Sequence, residues 1–402
     1  MIALSYLQSL TEAGRVSPTN LNPGFTTLSS AISSAGAVSM NVTNYAGFPA
    51  LVGYSIMVDS EQMTVTAGMG TAVWTVTRGA NGTTAATHLN GAMVFQCATS
   101  LIPIEPVMFD PIVARYEPKL MRNSFEQYYE SIIVSQHSEL KGVKLPASYE
   151  VLTNLLSYAV KGGVTPTPSG SSYSWAFTPT LTADDLSGLG AEMGTDTAAY
   201  HIANLYCDQL TLDFTRGADS AQATADFVGS MAFKMGAKTP GLTRTGLNLL
   251  NPAYTSTYLD TTTIGSTLVN DVVSAKVVIK NGIQQLWFLN GLLYPTAIAR
   301  PTRSLDLEMQ KWFDDPVELD NAMNTIGNGV QRKVRLTTTG PAIGSSGIAN
   351  SLTIDSYGYW STFPLKVDKD VWVLNMTGHS VYDVGAGGSW SMTLVNDLAT
   401  CP

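Results

Sequence analysis

The groups in this chain that could do chemistry are few and scattered. There are four histidines, His88, His137, His201 and His379, and three cysteines, Cys97, Cys207 and Cys401. The histidines show no i,i+4 pairing and the cysteines no metal or redox spacing, so no zinc site is expected. Three widely separated cysteines predict buried free thiols rather than a disulfide framework. Gly188-Leu189-Gly190 with Gly194 misses the dinucleotide-binding spacing and does not lie between a strand and a helix. Asp184-Asp185 reads as a loop pair. Asp314-Asp315 reads as a pair at a helix N-terminus, where negative charge complements the helix dipole. Acceptor patterns at Asn41-Val42-Thr43, Asn81-Gly82-Thr83 and Asn375-Met376-Thr377 carry little meaning without a secretory leader. There is no phosphate-cradling loop and no activated nucleophile. The expectation is therefore a protein with no catalytic, cofactor or metal site.

What the side chains do offer is a charge pattern. Between residues 164 and 274 stand ten acidic residues (Asp184, Asp185, Glu192, Asp196, Asp208, Asp213, Asp219, Asp226, Asp260, Asp271) and four basic ones (Arg216, Lys234, Lys238, Arg244). The net charge of -9 argues against a protein that grips nucleic acid, because phosphate binding is driven by lysine and arginine. Charged residues are 13% of the 402, about half the usual share. A surface that poor in charge is expected to be covered largely by partners. No run of 18 apolar residues occurs, so no membrane span is expected. The opening MIALSYLQSLTEAGR has no basic n-region and is not read as a signal peptide.

The element that positions this charge is the stretch Tyr206–Gly229. Leu210, Leu212 and Phe214 alternate with Gln209, Thr211 and Asp213. After an Arg216-Gly217-Ala218-Asp219 turn, Ala223, Ala225 and Phe227 alternate with Gln222, Thr224 and Asp226. Period-two alternation predicts a hairpin with one buried and one wet face. Around it the chain divides into five parts. Residues 1–24 read as an N-terminal arm with a short helix near Ala3–Ala13. Residues 25–98 read as a small all-β module, with strands at Val38–Val42, Tyr54–Val58, Gln62–Thr66, Val73–Thr77 and Met93–Cys97. Residues 99–238 carry two strands joined by a long loop around Tyr116–Phe125, an amphipathic helix over Pro146–Val160, a strand at Tyr173–Thr178 and a Gly-rich loop over Asp184–Thr197. Residues 239–268 read as a polar linker. Residues 269–402 repeat the order, with a second helix at Pro316–Ile326 and later strands including Trp372–Tyr382. The two helices align at an offset of 167, Leu152 on Leu319, Asn154 on Asn321 and Leu156 on Met323.

Several stretches, in order, resemble a known family. VARYEPKLMRNSFEQYYESIIVSQHSELKG, ASYEVLTNLLSYAVKG, YSWAFTPT and YCDQLTLDFTRGADSAQATADFVGS resemble the tail tube protein (major tail protein) of long-tailed, siphovirus-like bacteriophages. So do the later LDLEMQKWFDDPVELDNAMNTI, NSLTIDSYG and VWVLNMTGHSVYDVGAGGSWSMTLVND. The stretch TVTRGANGTTAATH resembles a small β-module appended to tailed-phage structural proteins. The resemblance implies a mainly β fold with short flanking helices (α+β): two tandem tail-tube β-sandwich or barrel units plus a small all-β decoration domain outside the tube. It implies homo-oligomeric rings, three chains forming a pseudo-hexamer, stacked into a hollow tube that conducts double-stranded DNA without binding it specifically. It also implies tape measure, terminator and distal tail proteins as partners, assembly in the host cytoplasm and residence in the virion. On this reading Asp208, Thr211, Asp213 and Asp226 face the lumen. The loop bearing Tyr116, Lys119 and Arg122 reaches the next ring. Two other classes stay open: a phage fibre or adhesin-like surface-binding β-module, and a glycan-active enzyme, which would need a convergent carboxylate pair.

Overall fold

The computed structural model describes residues 2–6, 19–20, 25–50, 53–102, 104–107, 109–118, 131–180, 188–194, 199–230, 232–235, 237–242, 246–314, 316–323, 330–344, 347–368 and 370–400. Most of it is strand, with two α-helices.

The module at residues 25–98 is one antiparallel sheet. Its strands are β1 Phe25–Thr27, β2 Ser39–Asn41, β3 Ser55–Val58, β4 Glu61–Ala67, β5 Val73–Thr77 and β6 Met93–Gln96, in the order β1-β6-β3-β4-β5-β2. Trp74, Met63, Ile56 and Val65 fill its core. The Arg78–His88 stretch wraps one buried carboxylate. Glu61 accepts from Arg78 Nε and Nη2, each at 2.7 Å, and from the amides of Gly79 and Ala86, each at 3.0 Å. His88 Nε2 lies 2.8 Å from the same carboxylate, and its Nδ1 lies 2.7 Å from Asp59. Burial opposes ionisation of Glu61, but the Arg78 guanidinium, the Ala86 amide, His88 and the Gly79 amide outweigh it and hold the group down to about 2. The loop is thus shaped by one anion and has a structural role.

The rest of the described chain builds two large sheets, beside a small three-stranded sheet of 19–20, 284–286 and 297–299 and the strands that pair with the N-terminal half of Ala199–Thr215. The first contains β7 Asp110–Tyr116, β8 Ile132–Pro146, β10 Ala199–Thr215 and β11 Gln222–Gly229 from the first unit, with β9 Ser172–Phe177 lying elsewhere. The second unit follows β12 Thr255–Asp260 and supplies β13 Val272–Lys280, β14 Ser304–Trp312, β15 Arg332–Ala342, β16 Ala349–Thr362, β17 Leu365–Asp368, β18 Val371–Ser380 and β19 Trp390–Asn396. Hydrogen-bonded neighbours in the first sheet run β7-β8-β11-β10-β13-β14-β18-β16, every pair antiparallel. The order in the first unit (β7-β8-β11-β10) is repeated in the second (β13-β14-β18-β16). In each unit a helix follows the second strand: α1 Tyr149–Ala159 after β8, and α2 Val317–Met323 after β14. The expected repeat is therefore present as a repeat of pairing.

The second sheet runs β9-β19-β16-β15-β12. Strand β16 serves both sheets: Ser351–Ser356 pairs with β19, and Gly358–Thr362 pairs with β18. Two glycines permit the switch. A Cβ on Gly358 would lie 2.2 Å from the His379 carbonyl oxygen, and one on Gly378 would lie 2.4 Å from that of Tyr359. Helix α1 is capped by Ser148, whose hydroxyl accepts from Val151 N at 3.2 Å, and all eleven of its residues are buried. It is thus a core element, with Leu152, Leu155 and Leu156 in the same cluster as both sheets.

Four expectations are corrected. Ile2–Tyr6 is a strand paired with Leu189–Gly194 and Ser100–Leu101, so part of the predicted arm and helix belongs to the body. Leu189–Gly194 lies within the predicted Gly-rich loop, yet Leu189, Ala191 and Met193 are buried and pair with β10. The 239–268 stretch supplies β12, paired over its whole length with β15, so it is more than a linker. The units also do not separate at 268, because β19 from the C-terminal end pairs with β9 of the first unit. The remainder of the predicted N-terminal helix, Asp184, Asp185, Asp196, Arg244 and Cys401 fall outside the described residues.

The module packs on the first unit. Phe25 packs against Phe233 with ring centroids 3.9 Å apart and planes tilted by 45°, and Met57, Phe95 and Cys97 meet Ala199 and Met235. Glu192 is buried at this seam and accepts from Ala98 N (2.9 Å), Thr239 N (2.8 Å) and Thr239 Oγ1 (2.7 Å). Burial pushes its carboxyl up despite those bonds. His201 lies beside Phe95 with 0% exposure, and neither ring nitrogen has a hydrogen-bond partner among the described residues. Burial lowers it from 6.5 to about 4. Below pH 6.5 the unfolded chain gains a proton there that the folded chain refuses. Stability is thus expected to fall as pH drops from about 6.5 to about 4, by on the order of 3 kcal/mol from this group. A melting-temperature series across that range should show this component in the parent and lack it in His201→Leu.

The junction between units is closed by a buried amide. Asn281 Nδ2 donates to the carbonyls of Ala159 and Cys207, both at 2.9 Å, and its own N–H donates to Asp208 O at 2.8 Å. Asn281→Ala would strand two buried carbonyls and is expected to lose about 2–3 kcal/mol in urea denaturation.

Candidate functional site

The eight-stranded sheet has an apolar face and a wet face, and the register fixes which side chains share each. One row on the wet side reads Lys144, Thr224, Thr211, Val278, Asp306, His379 across β8, β11, β10, β13, β14 and β18, with Val278 its buried member. The next reads Pro146, Gln222, Asp213, Lys276, Glu308, Thr377. A third holds Asp226, Gln209, Lys280 and Ser304. On the reverse face Leu145, Ala223, Leu212, Val277 and Leu307 form a buried row. The alternation read from Tyr206–Gly229 is therefore that of the assembled sheet.

Three of the four predicted face residues, Thr211, Asp213 and Asp226, lie together on this surface. Asp213 is opposite Lys276 and accepts from the Thr215 hydroxyl at 2.8 Å. Asp226 Oδ1 accepts from Gly142 N at 2.7 Å, where β8 bulges between Leu140 and Val143 with Gly142 at φ 66°. Asp208 occupies the β10 bulge between Cys207 and Gln209, and its Oδ1 accepts from Ile283 N at 2.8 Å. Its carboxylate anchors the chain that leaves β13.

The wet face is not simply acidic. Across these three rows four carboxylates, Asp213, Asp226, Asp306 and Glu308, stand among three ammonium groups, Lys144, Lys276 and Lys280. Lys280 Nζ lies 2.7 Å from Asp306, and Lys276 Nζ lies 3.4 Å from Glu308. Lys141 is raised by its Glu139 neighbour first, then by Asp226 and Asp208. The acidic excess of residues 164–274 is offset here by lysines of strands β8 and β13. Exposed pairs like these contribute up to about 1 kcal/mol each, so they set the charge texture of the surface more than its stability.

Tyr116 is exposed at the end of β7, while Lys119 and Arg122 lie outside the described residues. Two features passed unnoticed in the sequence. One is the exposed apolar tip between β13 and β14, with Trp287, Phe288, Leu289, Leu292 and Leu293 all accessible. The run WFLNGLL was its signal. The other is a cavity of 470 Å³ beside α2, whose lining includes Leu268, Asp271, Trp312, Val317, Glu318 and Arg332. It is assembled from distant segments and has no local signal. Among the described residues no cluster of three or more His, Cys, Asp or Glu has metal-holding geometry, and no helix is long and apolar enough to cross a membrane.

The Gly142 contact gives Asp226 a second duty beyond its charge. Asp226→Asn should keep the acceptor and melt close to the parent, while Asp226→Ala should lose about 1–2 kcal/mol in thermal unfolding. No family model matches the chain, and no curated protein is significantly similar to it.

Proposed function

We propose that this chain is a structural tail-tube protein of a long-tailed phage, assembling into rings that stack into a hollow, DNA-conducting tube. The observation that carries the reading is the junction of β10 with β13. The last strand of one four-stranded unit pairs antiparallel with the first strand of the next, from Gln209↔Lys280 to Thr215↔Ser274. The outer edges of the eight-stranded sheet are the same kinds of strand. At one edge β7 pairs only with β8 among the described residues. At the other, the Tyr359–Thr362 end of β16 pairs only with β18 among the described residues. An edge of one chain can therefore join the opposite edge of another by the bond pattern already used within the chain. Closure removes both exposed edges, which are otherwise a liability. Three chains would give six units and a ring.

The wet face would then line the channel. Alternating carboxylates, lysines and threonines offer phosphate no continuous cationic track, so little counterion release favours sticking. The module at residues 25–98 packs at the β10 end that continues beyond this sheet, consistent with an outside position.

Electron microscopy and native mass measurement of the purified protein test the reading. Rings with a central channel and three chains each, stacking into tubes, are expected. Discrete trimers without a channel would sink it, and six chains per ring would overturn the stoichiometry.

A further inference from the structure

The two ends of the eight-stranded sheet each expose apolar side chains, and the second sets them among charged ones. At one end, beyond the C-terminus of β13, the Trp287–Leu293 tip projects, with Leu289 fully exposed. It is held as a defined turn: Asn290 Oδ1 accepts from Leu292 N at 3.1 Å, and Gln136 N donates to Leu293 O at 2.7 Å. At the opposite end, beyond the C-terminus of β14, lies the cavity beside α2. Trp312, Val317 and Leu268 on its wall are each about half exposed. Behind them Glu318 Oε2 and Arg332 Nε are buried without a hydrogen-bond partner among the described residues, although the two side chains pair with each other through other atoms. A wall that sets exposed Trp312, Val317 and Leu268 beside unmet polar atoms calls for an occupant that supplies both apolar contact and hydrogen bonds.

The first unit shows what fills this position. Glu150 is the second residue of α1, as Glu318 is of α2. Glu150 accepts from Asn248 N at 2.9 Å and from the Asn248 side-chain amide. Asn248 belongs to a strap, Leu247-Asn248-Leu249-Leu250, that covers the start of α1. Tyr149 N donates to Asn248 O at 3.0 Å, Leu250 N donates to Ala147 O at 2.9 Å, and Leu250 is fully buried. The exposed tip carries nearly the same sequence, Leu289-Asn290-Gly291-Leu292-Leu293, with one glycine inserted.

We propose that the Phe288–Leu293 tip of one copy docks in the α2 cavity of a second copy, as the Leu247–Leu250 strap docks on α1 within the chain. The tip's leucines meet Trp312 and Val317, and Asn290, whose Nδ2 spends one hydrogen on Thr296 Oγ1 at 3.3 Å, offers its second to Glu318 Oε2. Because tip and cavity lie at opposite ends of the sheet, the contact is head-to-tail and propagates along an axis. It rests on the tube reading and names the surfaces that would stack the rings.

The test is a cysteine pair, Leu289→Cys with Val317→Cys, in a Cys401→Ser background, oxidised with glutathione disulfide. Within one chain the two positions are separated by the length of β13, ~25 Å at ~3.3 Å per residue, far beyond disulfide reach. The expected result is a ladder of covalent multimers on a non-reducing gel, absent from either single variant. Phe288→Asp with Leu289→Asp should raise the protein concentration needed for stacking about tenfold or more. Rings that stack without a ladder, or with the aspartate variant stacking like the parent, overturn this docking and leave the tube reading intact. If the parent forms neither rings nor stacks, both fall.

Discussion

The constraint on which the rest depends is the pairing of Gln209–Thr215 with Ser274–Lys280. It turns two four-stranded units into one sheet, and that sheet has a continuous buried face from Leu145 to Leu307. The junction also carries a buried side-chain amide. Asn281 is fully buried and ties the end of α1 and the β10 bulge to the strand that begins the second unit. A shift of one residue at this junction would turn Val277 and Ile279 outward and Lys276 and Lys280 inward. Register here is therefore fixed by burial and by a specific amide together.

Much of the fold was legible because the Gln209–Thr215 half of β10 alternates, β11 alternates less strictly beside it, and α1 has helical spacing bounded by Ser148 and Gly162-Gly163. The wet face containing Thr211, Asp213 and Asp226 was legible for the same reason. What was not legible required tertiary information. Ile2–Tyr6 is apolar and short, so its period fits a helix or a strand, and only its partner Leu189–Gly194 decides. Asp208 looked like one more wet-face acid. A bulge, invisible in the alternation, turned it to the Ile283 amide. Lysines 144, 276 and 280 lie in sequence far from Asp213 and Asp226, so their balancing of that face appears only in the register.

The polar interior follows one rule at three places. Glu61, Glu150 and Glu192 are each at most 4% exposed, and each accepts backbone N–H groups from a segment that must be held down. Glu61 holds the Arg78–His88 loop, Glu150 holds the strap at Asn248, and Glu192 holds the seam between module and body. A buried carboxylate is costly alone, and these are retained where a loop's orphan amides would otherwise be stranded. Glu318, in the matching place on α2, keeps one oxygen without such a partner among the described residues.

The tandem arrangement has a consequence for charge. In an assembly of identical single units every junction repeats one sequence, so a carboxylate at an edge must face whatever residue the opposite edge of the same sequence carries. Joining two unlike units in one chain lifts that restriction. Asp213 on the first unit can meet Lys276 on the second, an asymmetric match that one repeating unit would have to make at every junction or none. The junction inside the chain is then free to differ in chemistry from any junction that its outer edges could make.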